Sequence, residues 1–281
     1  MNNNITIIFV TFYSDKKLLK YLNQFKNKFK VIIIENSQNK KIKLLKNKNI
    51  NIIINKKNVG FGSSLNVGLK LVKTKYALHL DLDTSISNQS ITRLVKQADI
   101  IKDFAILTPR IKNFNYKEKD FIKKKIYANV NNMRFIDGCC LLFNMKDLKK
   151  IGYFDENFFL YFEETDFLKR CINNSKKILM VDNINIFHKG RSSSEAKFNY
   201  EIELNRNWHY MWSKFYYFRK HYGYLFGFFK IFNHFYSSFF KYIFYALLAK
   251  EKEKMIYFSR FSGCLNSLML KKAWYRPDIY K

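Results

Sequence analysis

"ITIIFVTFYSDKKLLKYLNQFKNKFKVIIIENS", Ile5–Ser37, decides the fold. It opens with an apolar run, Ile5–Ser14, bounded by turn-prone residues, as a central parallel strand requires. Over Asp15–Phe29 the apolar positions Leu18, Leu19, Leu22 and Phe25 fall at helical spacing. Lys30–Ser37 then returns to a continuous apolar run that ends in polar residues. Two buried strands joined by an amphipathic helix make a parallel pair, because the helix carries the chain back to the edge it started from.

The alternation continues outward from this unit. Lys40–Lys48 is helix-like, Ile50–Asn55 is a third strand, and Asn58–Thr74 is a loop with two glycines opening a helix. Tyr76–Asp83 is a fourth strand, Asn88–Ile101 a helix, and Asp103–Asn113 a fifth strand read as stopped by Pro109. Phe114–Asn132 is polar, Lys-rich and without periodicity, so a surface loop is expected. Arg134–Asn174 reads strand, helix, loop, helix, and Lys177–His188 is a last strand. The expected fold class is therefore α/β, with a mostly parallel central sheet flanked by helices. Residues 1–199 are expected to form the catalytic domain, and residues 200–281 an aromatic-rich helical extension.

With 48% hydrophobic and 18% aromatic residues among 281, a sizeable core is expected and global disorder is not. The formal charge of +29 favours an acidic partner. Much of it, however, comes with the Lys, Asn, Ile, Phe and Tyr that adenine- and thymine-rich codons supply. No nucleic-acid-binding module is recognisable, so nucleic acid is not an expected partner. Four cysteines without a CxxC pair read as free thiols of a reducing cytoplasm. "MNNNITIIFVTFYS" lacks a cationic flank and reads as a first strand, not a signal peptide.

In open α/β sheets, ligands bind beyond the carboxyl ends of the strands. Polar clusters fall at four such ends: Thr11–Phe12–Tyr13, Glu35–Asn36–Ser37, Asp81–Leu82–Asp83 and His188. Strand alternation puts Asp81 and Asp83 on one side, where two carboxylates grip a hard divalent cation. The competing reading is a turn cap for Asp83 and a lysine pair for Asp81. His188 would complete the site for Mn²⁺ or Mg²⁺, with Lys189 and Arg191 near to answer diphosphate charge. Gly60 and Gly62 would let backbone approach a diphosphate at a helix N-terminus, or simply turn the chain into that helix. Glu163, Glu164 and Asp166 either favour the positive end of their helix or supply a general base. In the second case Phe159, Tyr161 and Phe162 exclude water and raise the base's pKa. Arg170 is expected to pair with these acids.

In order, "IIFVTFYS", "VIIIENS", "NVGFGSSLNVGL", "LDLD", "DGCCLLFNMKDLKKIGYFDENFFLYFEETDFLKR" and "FHKGRSSS" resemble glycosyltransferase family 2, GT-A fold, in its bacterial rhamnosyltransferase-like members. The resemblance covers roughly residues 5–195. It implies that Thr11, Phe12, Tyr13, Glu35 and Asn36 hold the base and ribose of a nucleotide-sugar donor. Asn58, Gly60, Asn66 and Asp81 join them as donor-binding residues. It further implies that Asp81, Asp83 and His188 ligate the metal, with Glu164 the catalytic base and Glu163 and Asp166 beside it. The family commonly has Asp where this chain has Glu35 and Glu164. The implied activity is inverting, metal-dependent transfer of rhamnose or another hexose in cell-surface polysaccharide or lipopolysaccharide synthesis. The Glu at the base position prompts the alternative of a weakly catalytic nucleotide-sugar- or glycan-binding scaffold.

His221–Lys250 is long enough to cross a bilayer as a helix, but Lys230 and Lys241 interrupt it. The abundance of Tyr, Trp and Lys in the C-terminal third suits a helix lying on an anionic membrane, near a saccharide or lipid-linked saccharide acceptor. Packing against the sheet, or against a twin subunit in a homodimer, stands beside that reading. The expected location is cytoplasmic, peripheral on the inner face of the cytoplasmic membrane.

Overall fold

The structure is a computed structural model that describes residues 4–25, 28–190 and 198–276. Its residues form two compact units, Met1–Phe154 with Phe167–Ser194, and Asp155–Asp166 with Glu195–Lys281. The expected α/β fold is present in the first unit. Its strands are β1 (Ile5–Thr11), β2 (Lys30–Glu35), β3 (Ile50–Ile54), β4 (Tyr76–Leu80), β5 (Thr84–Ser85), β6 (Ile106–Ile111), β7 (Phe121–Tyr127), β8 (Val130–Met133), β9 (Cys140–Asn144) and β10 (Ile178–His188). They are ordered β3-β2-β1-β4-β9-β6-β10-β8-β7, with the short β5 paired to β10. β1 pairs in parallel with β2 and β4, as β2 does with β3 and β6 with β10. β9 runs antiparallel between β4 and β6, so those two strands point the same way.

Helices cover both faces of the sheet, which is why β1 and β2 are apolar at consecutive positions. On one face, Ile5, Ile7 and Phe9 pack with α1 (Asp15–Phe25) and α3 (Asn88–Ile101). On the other, Ile8, Ile32 and Ile34 pack with α2 (Phe61–Leu71), α4 (Met145–Ile151) and the Phe167–Cys171 part of α5 (Glu163–Asn173). Each fully buried side chain of this size contributes roughly 1.5–3 kcal/mol.

Two expectations are corrected. Pro109 does not stop the fifth strand, since β6 runs through it to Ile111 with Pro109 opposite Val181. The β9 side of the ladder has already ended at Leu107, so the missing N–H costs little there. Phe114–Asn132 is not a loop throughout, because β7 and β8 form an antiparallel pair within it. β7 shows no periodicity because Lys123, Lys124 and Lys125 are exposed on a sheet edge that charge protects from further pairing. Lys40–Leu45, within the segment read as helix-like, is a 3-10 helix. All four cysteines are free and buried.

The second unit contains α6 (Asn199–Tyr222), α7 (Tyr224–Leu247) and α8 (Glu251–Leu268). Gly263 of α8 lies so close to α6 that a Cβ there would stand 2.3 Å from the Trp208 carbonyl oxygen. In the first unit, a Cβ on Gly68 of α2 would stand 2.7 Å from Cγ2 of Ile8. A backbone oxygen cannot rotate away, whereas an isoleucine methyl can. Gly263→Ala is therefore expected to lower urea stability by about 1–3 kcal/mol and Gly68→Ala by less.

His209 of α6 is fully buried, with Nε2 against the Tyr275 carbonyl at 2.9 Å. Its Nδ1 has no partner among the described residues. Burial pushes its pKa down to about 3. The folded protein thus keeps His209 neutral where the unfolded chain takes up a proton, so this residue makes stability fall as pH drops from about 6.5 toward 3. Urea titrations of His209→Gln, whose amide can still donate to Tyr275, should show a shallower loss than wild type over that window.

Candidate functional site

Because β1, β2, β3 and β4 run parallel, their carboxyl ends share one edge, and the polar residues that follow them meet there. Glu35 ends β2 fully buried. One carboxylate oxygen accepts from Thr11 Oγ at 2.5 Å, and the other from the Ser37 amide and hydroxyl. Burial raises its pKa, against the opposing pull of these bonds. Ser37 Oγ also accepts from the Tyr13 amide at 3.3 Å, and Tyr13 holds a left-handed φ of 49°. Phe12 and Tyr13 meet edge to face, with centroids 4.8 Å apart.

Asn36 links this edge to the start of α2. Its Nδ2 donates to the Gly60 carbonyl at 3.2 Å, and its Oδ1 accepts from Asn55 at 2.8 Å and Ser64 at 2.9 Å. Asn58 Oδ1 accepts from the Gly60 amide at 2.9 Å, and Gly60 turns into the helix at φ 91°. Asn66 faces elsewhere: its amide donates to the Phe154 carbonyl at 2.9 Å and accepts from the Phe154 amide at 3.0 Å. Asn55 and Ser64 were missed in sequence because uncharged side chains outside a motif carry no signal.

Asp81, Asp83 and His188 come together, with one ligand atom from each lying within 4.8 Å of the others. The convergence does not come from strand alternation. β4 ends at Leu80, and Asp81–Thr84 is a turn in which the Thr84 amide donates to the Asp81 carbonyl at 3.1 Å. β5 then pairs with β10 so that His188 stands opposite Thr84. Its Nε2 lies 3.3 Å from Asp83 Oδ1 and its Nδ1 3.5 Å from Asp137 Oδ1. The bond to Asp83, backed by the nearby Asp137, raises the His188 pKa against the effect of burial. Asn113 clamps the His188 backbone through both ends of its amide, at 2.6 and 3.1 Å. Asp81 is oriented by the buried His79, whose Nε2 lies 3.1 Å from Oδ1.

Asp137, Cys139 and His188 form a second possible ligand group. Burial and the adjacent Asp137 push the Cys139 thiol well up, however, away from the thiolate a metal needs. Two carboxylates and an imidazole are the better donor set, and they fit Mn²⁺ or Mg²⁺. Asp137 was missed in sequence because it stands in a loop ahead of β9, where a lone acid carries no signal. The Lys189 amide donates to the Asp83 carbonyl at 3.0 Å, and Arg191 lies outside the described residues.

In the second unit, Glu163 and Asp166 are buried and Glu164 is half-buried, all in the first turn of α5. Tyr161 and Phe162, just before them, hold left-handed φ angles of 67° and 68°. Bulky residues adopt such angles only when their surroundings enforce them. Here α6 does so. Tyr161 and Phe162 pack on Tyr210 at 5.7 and 5.6 Å, Phe159 on His209 at 4.4 Å, and Ser213 Oγ donates to the Leu160 carbonyl at 2.9 Å. Asp166 accepts from Lys220 at 2.6 Å and His221 at 2.8 Å. Lys220 also reaches Asp155 at 2.8 Å, which Tyr216 bonds at 3.0 Å. Burial opposes ionisation of Asp155, but Lys220 and Asn157 together hold its pKa below the usual range. In the first unit, Arg170 donates to the carbonyls of Ile151, Gly152 and Tyr153.

A family profile described as "Glycosyl transferase family 2" matches residues 6–163. Over 211 residues the chain is 20% identical to a low-salt glycan biosynthesis hexosyltransferase, Agl10, of Haloferax volcanii, covering 67% of this chain and 68% of that protein. Its fold is similar to that of the mannosyltransferase PcManGT from Pyrobaculum calidifontis, solved with GDP-Man and Mn²⁺. There the TM-score is 0.59 at 11% identity, over 96% of this chain and 88% of that one. It is also similar to S. aureus TarS, with a TM-score of 0.53 at 17% identity over 73% of this chain. The chain spans only 39% of the length of TarS.

Lys220 answers two carboxylates, one of them with no exposure. Lys220→Met is expected to cost about 1–3 kcal/mol in urea unfolding, as the buried Asp166 and the half-buried Asp155 both lose their lysine partner.

Proposed function

The chain belongs to glycosyl transferase family 2, and from that premise we propose that it transfers a hexose, rhamnose or another, from a nucleoside-diphosphate donor to a saccharide hydroxyl, with inversion at the anomeric carbon. The convergence of Asp81, Asp83 and His188 on the edge that also carries Thr11, Glu35 and Gly60 supports this reading most directly. The hexosyltransferase of Haloferax volcanii and the mannosyltransferase solved with GDP-Man and Mn²⁺ support the substrate class.

Asp81, Asp83 and His188 would hold Mn²⁺ or Mg²⁺, and a cation bound there supplies charge that stabilises a diphosphate leaving group. Phe12 and Tyr13 offer aromatic surface to the nucleobase at the end of β1. Glu35, whose two oxygens are engaged by Thr11 and Ser37, acts by holding the β1 and β2 ends in place for the nucleoside. Asn36 and Asn58 shape the Gly60 turn, where the amides of the α2 N-terminus favour phosphate. Asn66 supports the site indirectly, through the Phe154 backbone.

Glu164 is the proposed general base. It takes the proton of the acceptor hydroxyl as that oxygen bonds to the anomeric carbon and the bond from that carbon to the diphosphate oxygen breaks. A single displacement inverts the centre. Asp166 is a positioning residue, tied to Lys220 and His221, and Glu163 lies buried beside the base. The acceptor is a saccharide or lipid-linked saccharide of a growing surface polysaccharide or lipopolysaccharide.

Glu164→Gln is expected to lower kcat by about 10²–10⁴-fold while donor affinity, read by calorimetry, stays at the wild-type value. Chelation should abolish transfer, Mn²⁺ should restore it, and Asp83→Ala should not respond to Mn²⁺. NMR of the product should show the anomeric configuration opposite to that of the donor. Wild-type turnover by Glu164→Gln would remove the base assignment, and donor binding without transfer by the wild-type chain would favour the scaffold.

A further inference from the structure

α7 is packed the wrong way round for a helix of a water-soluble bundle. Its 24 residues bury only Gly227, Ile231 and Ser238. The opposite face carries the large side chains: Leu225 is 72% exposed, Phe229 73%, Phe240 63% and Leu247 81%. At about 100° per residue, these four lie within roughly 60° of Phe229, together with Phe232 and Ile243. The stripe runs the full length of the helix, about 36 Å at 1.5 Å per residue. A continuous apolar surface of this kind marks an interaction face.

Charge distinguishes the occupant. α7 contains no Asp or Glu, and its two lysines, Lys230 and Lys241, fall on one flank of the stripe. Both are exposed, and each lies over aromatic rings, Lys230 on Phe226 at 5.0 Å and Lys241 on Tyr257 at 5.1 Å. If a second copy of this helix covered the stripe, four lysines would border it with no acid on either α7 to answer them. Lipid phosphates answer them directly. Among the described residues no helix is long and apolar enough to cross a membrane. We infer that the Leu225–Leu247 face of α7 lies flat on the surface of an anionic lipid bilayer, with its aromatic stripe below the headgroups and Lys230 and Lys241 among the phosphates.

This inference goes beyond sugar transfer, and its test needs none. The full chain is sedimented with vesicles of phosphatidylcholine alone, or mixed with phosphatidylglycerol. Binding to the mixed vesicles is expected, with at least tenfold less on the neutral ones. Phe229→Glu combined with Leu247→Glu should reduce the binding at least tenfold, with an unchanged circular dichroism spectrum. Phe229→Trp, a conservative change at an exposed position, should shift its fluorescence to the blue on anionic vesicles and be quenched by brominated acyl chains. Equal binding by the double variant would assign the effect to the net charge of the whole chain and overturn the inference. So would a Phe229→Trp emission spectrum that vesicles leave unmoved. A wild-type dimer in sedimentation velocity that the double variant splits would overturn it too, and make a second copy the occupant.

Discussion

Parallel pairing of β1 with β2 on one side and β4 on the other governs the first unit. Parallel strands need helical crossovers, and the crossovers cover both faces, so no polar side chain is tolerated along the strands without a partner. Polar residues are left to the exits, and parallel pairing puts those exits on one edge. Glu35 is the sharpest case. It is a carboxylate without solvent, held because Thr11 at the β1 exit and Ser37 beyond the β2 exit occupy both its oxygens. The same bonds that make its burial tolerable fix the spacing of the two strand ends. This part of the edge is thereby held in one arrangement by its own bonds.

Much of this was legible because burial on two faces leaves a strong trace, a continuous apolar run ended by polar residues. The run gave the strands, and the ends gave Thr11, Glu35, Asp81 and His188 as neighbours. Asp81 and Asp83 converge as expected, but for a different reason. A turn and the two-residue β5 bring them to His188, and neither feature has any periodicity to read. The hairpin of β7 and β8 was illegible because an edge strand exposed on both faces looks like a polar loop. Asp137, Asn113 and the partners of Asp166 were hidden by separation along the chain. Lys220 and His221 are 54 and 55 residues from Asp166, and side chains on distant elements meet through tertiary packing that local pattern does not encode.

The acidic stretch acquires a physical account that its composition did not suggest. Its aromatics are engaged by α6, where they hold Tyr161 and Phe162 in left-handed backbone that neither would adopt alone. Consecutive strained residues of this kind cost on the order of 1–3 kcal/mol each and persist where packing over-determines them. The strain aims the chain into α5 so that Glu163 and Asp166 turn inward while Glu164 keeps partial access. Of the three acids only Glu164 keeps partial exposure, a difference that spacing alone could not provide.

Both units use small residues where elements approach closely, but with different consequences. In the first, Gly68 lets α2 settle on Ile8, and the large side chains on either side still point inward to one core. In the second, Gly227, Ser238 and Gly263 sit among the helix contacts with Ile231 and Phe235, while Leu225, Phe229, Phe240 and Leu247 of α7 remain outside. Burying Phe229 or Leu247 would contribute about 1.5–3 kcal/mol each, so an aqueous bundle would gain by turning α7 over. Turning it would place large side chains at Gly227, where even a Cβ would stand 3.0 Å from the Arg219 backbone nitrogen. The close approach of the backbones therefore commits the Leu225–Leu247 face outward, and covering it with an apolar surface would recover that burial.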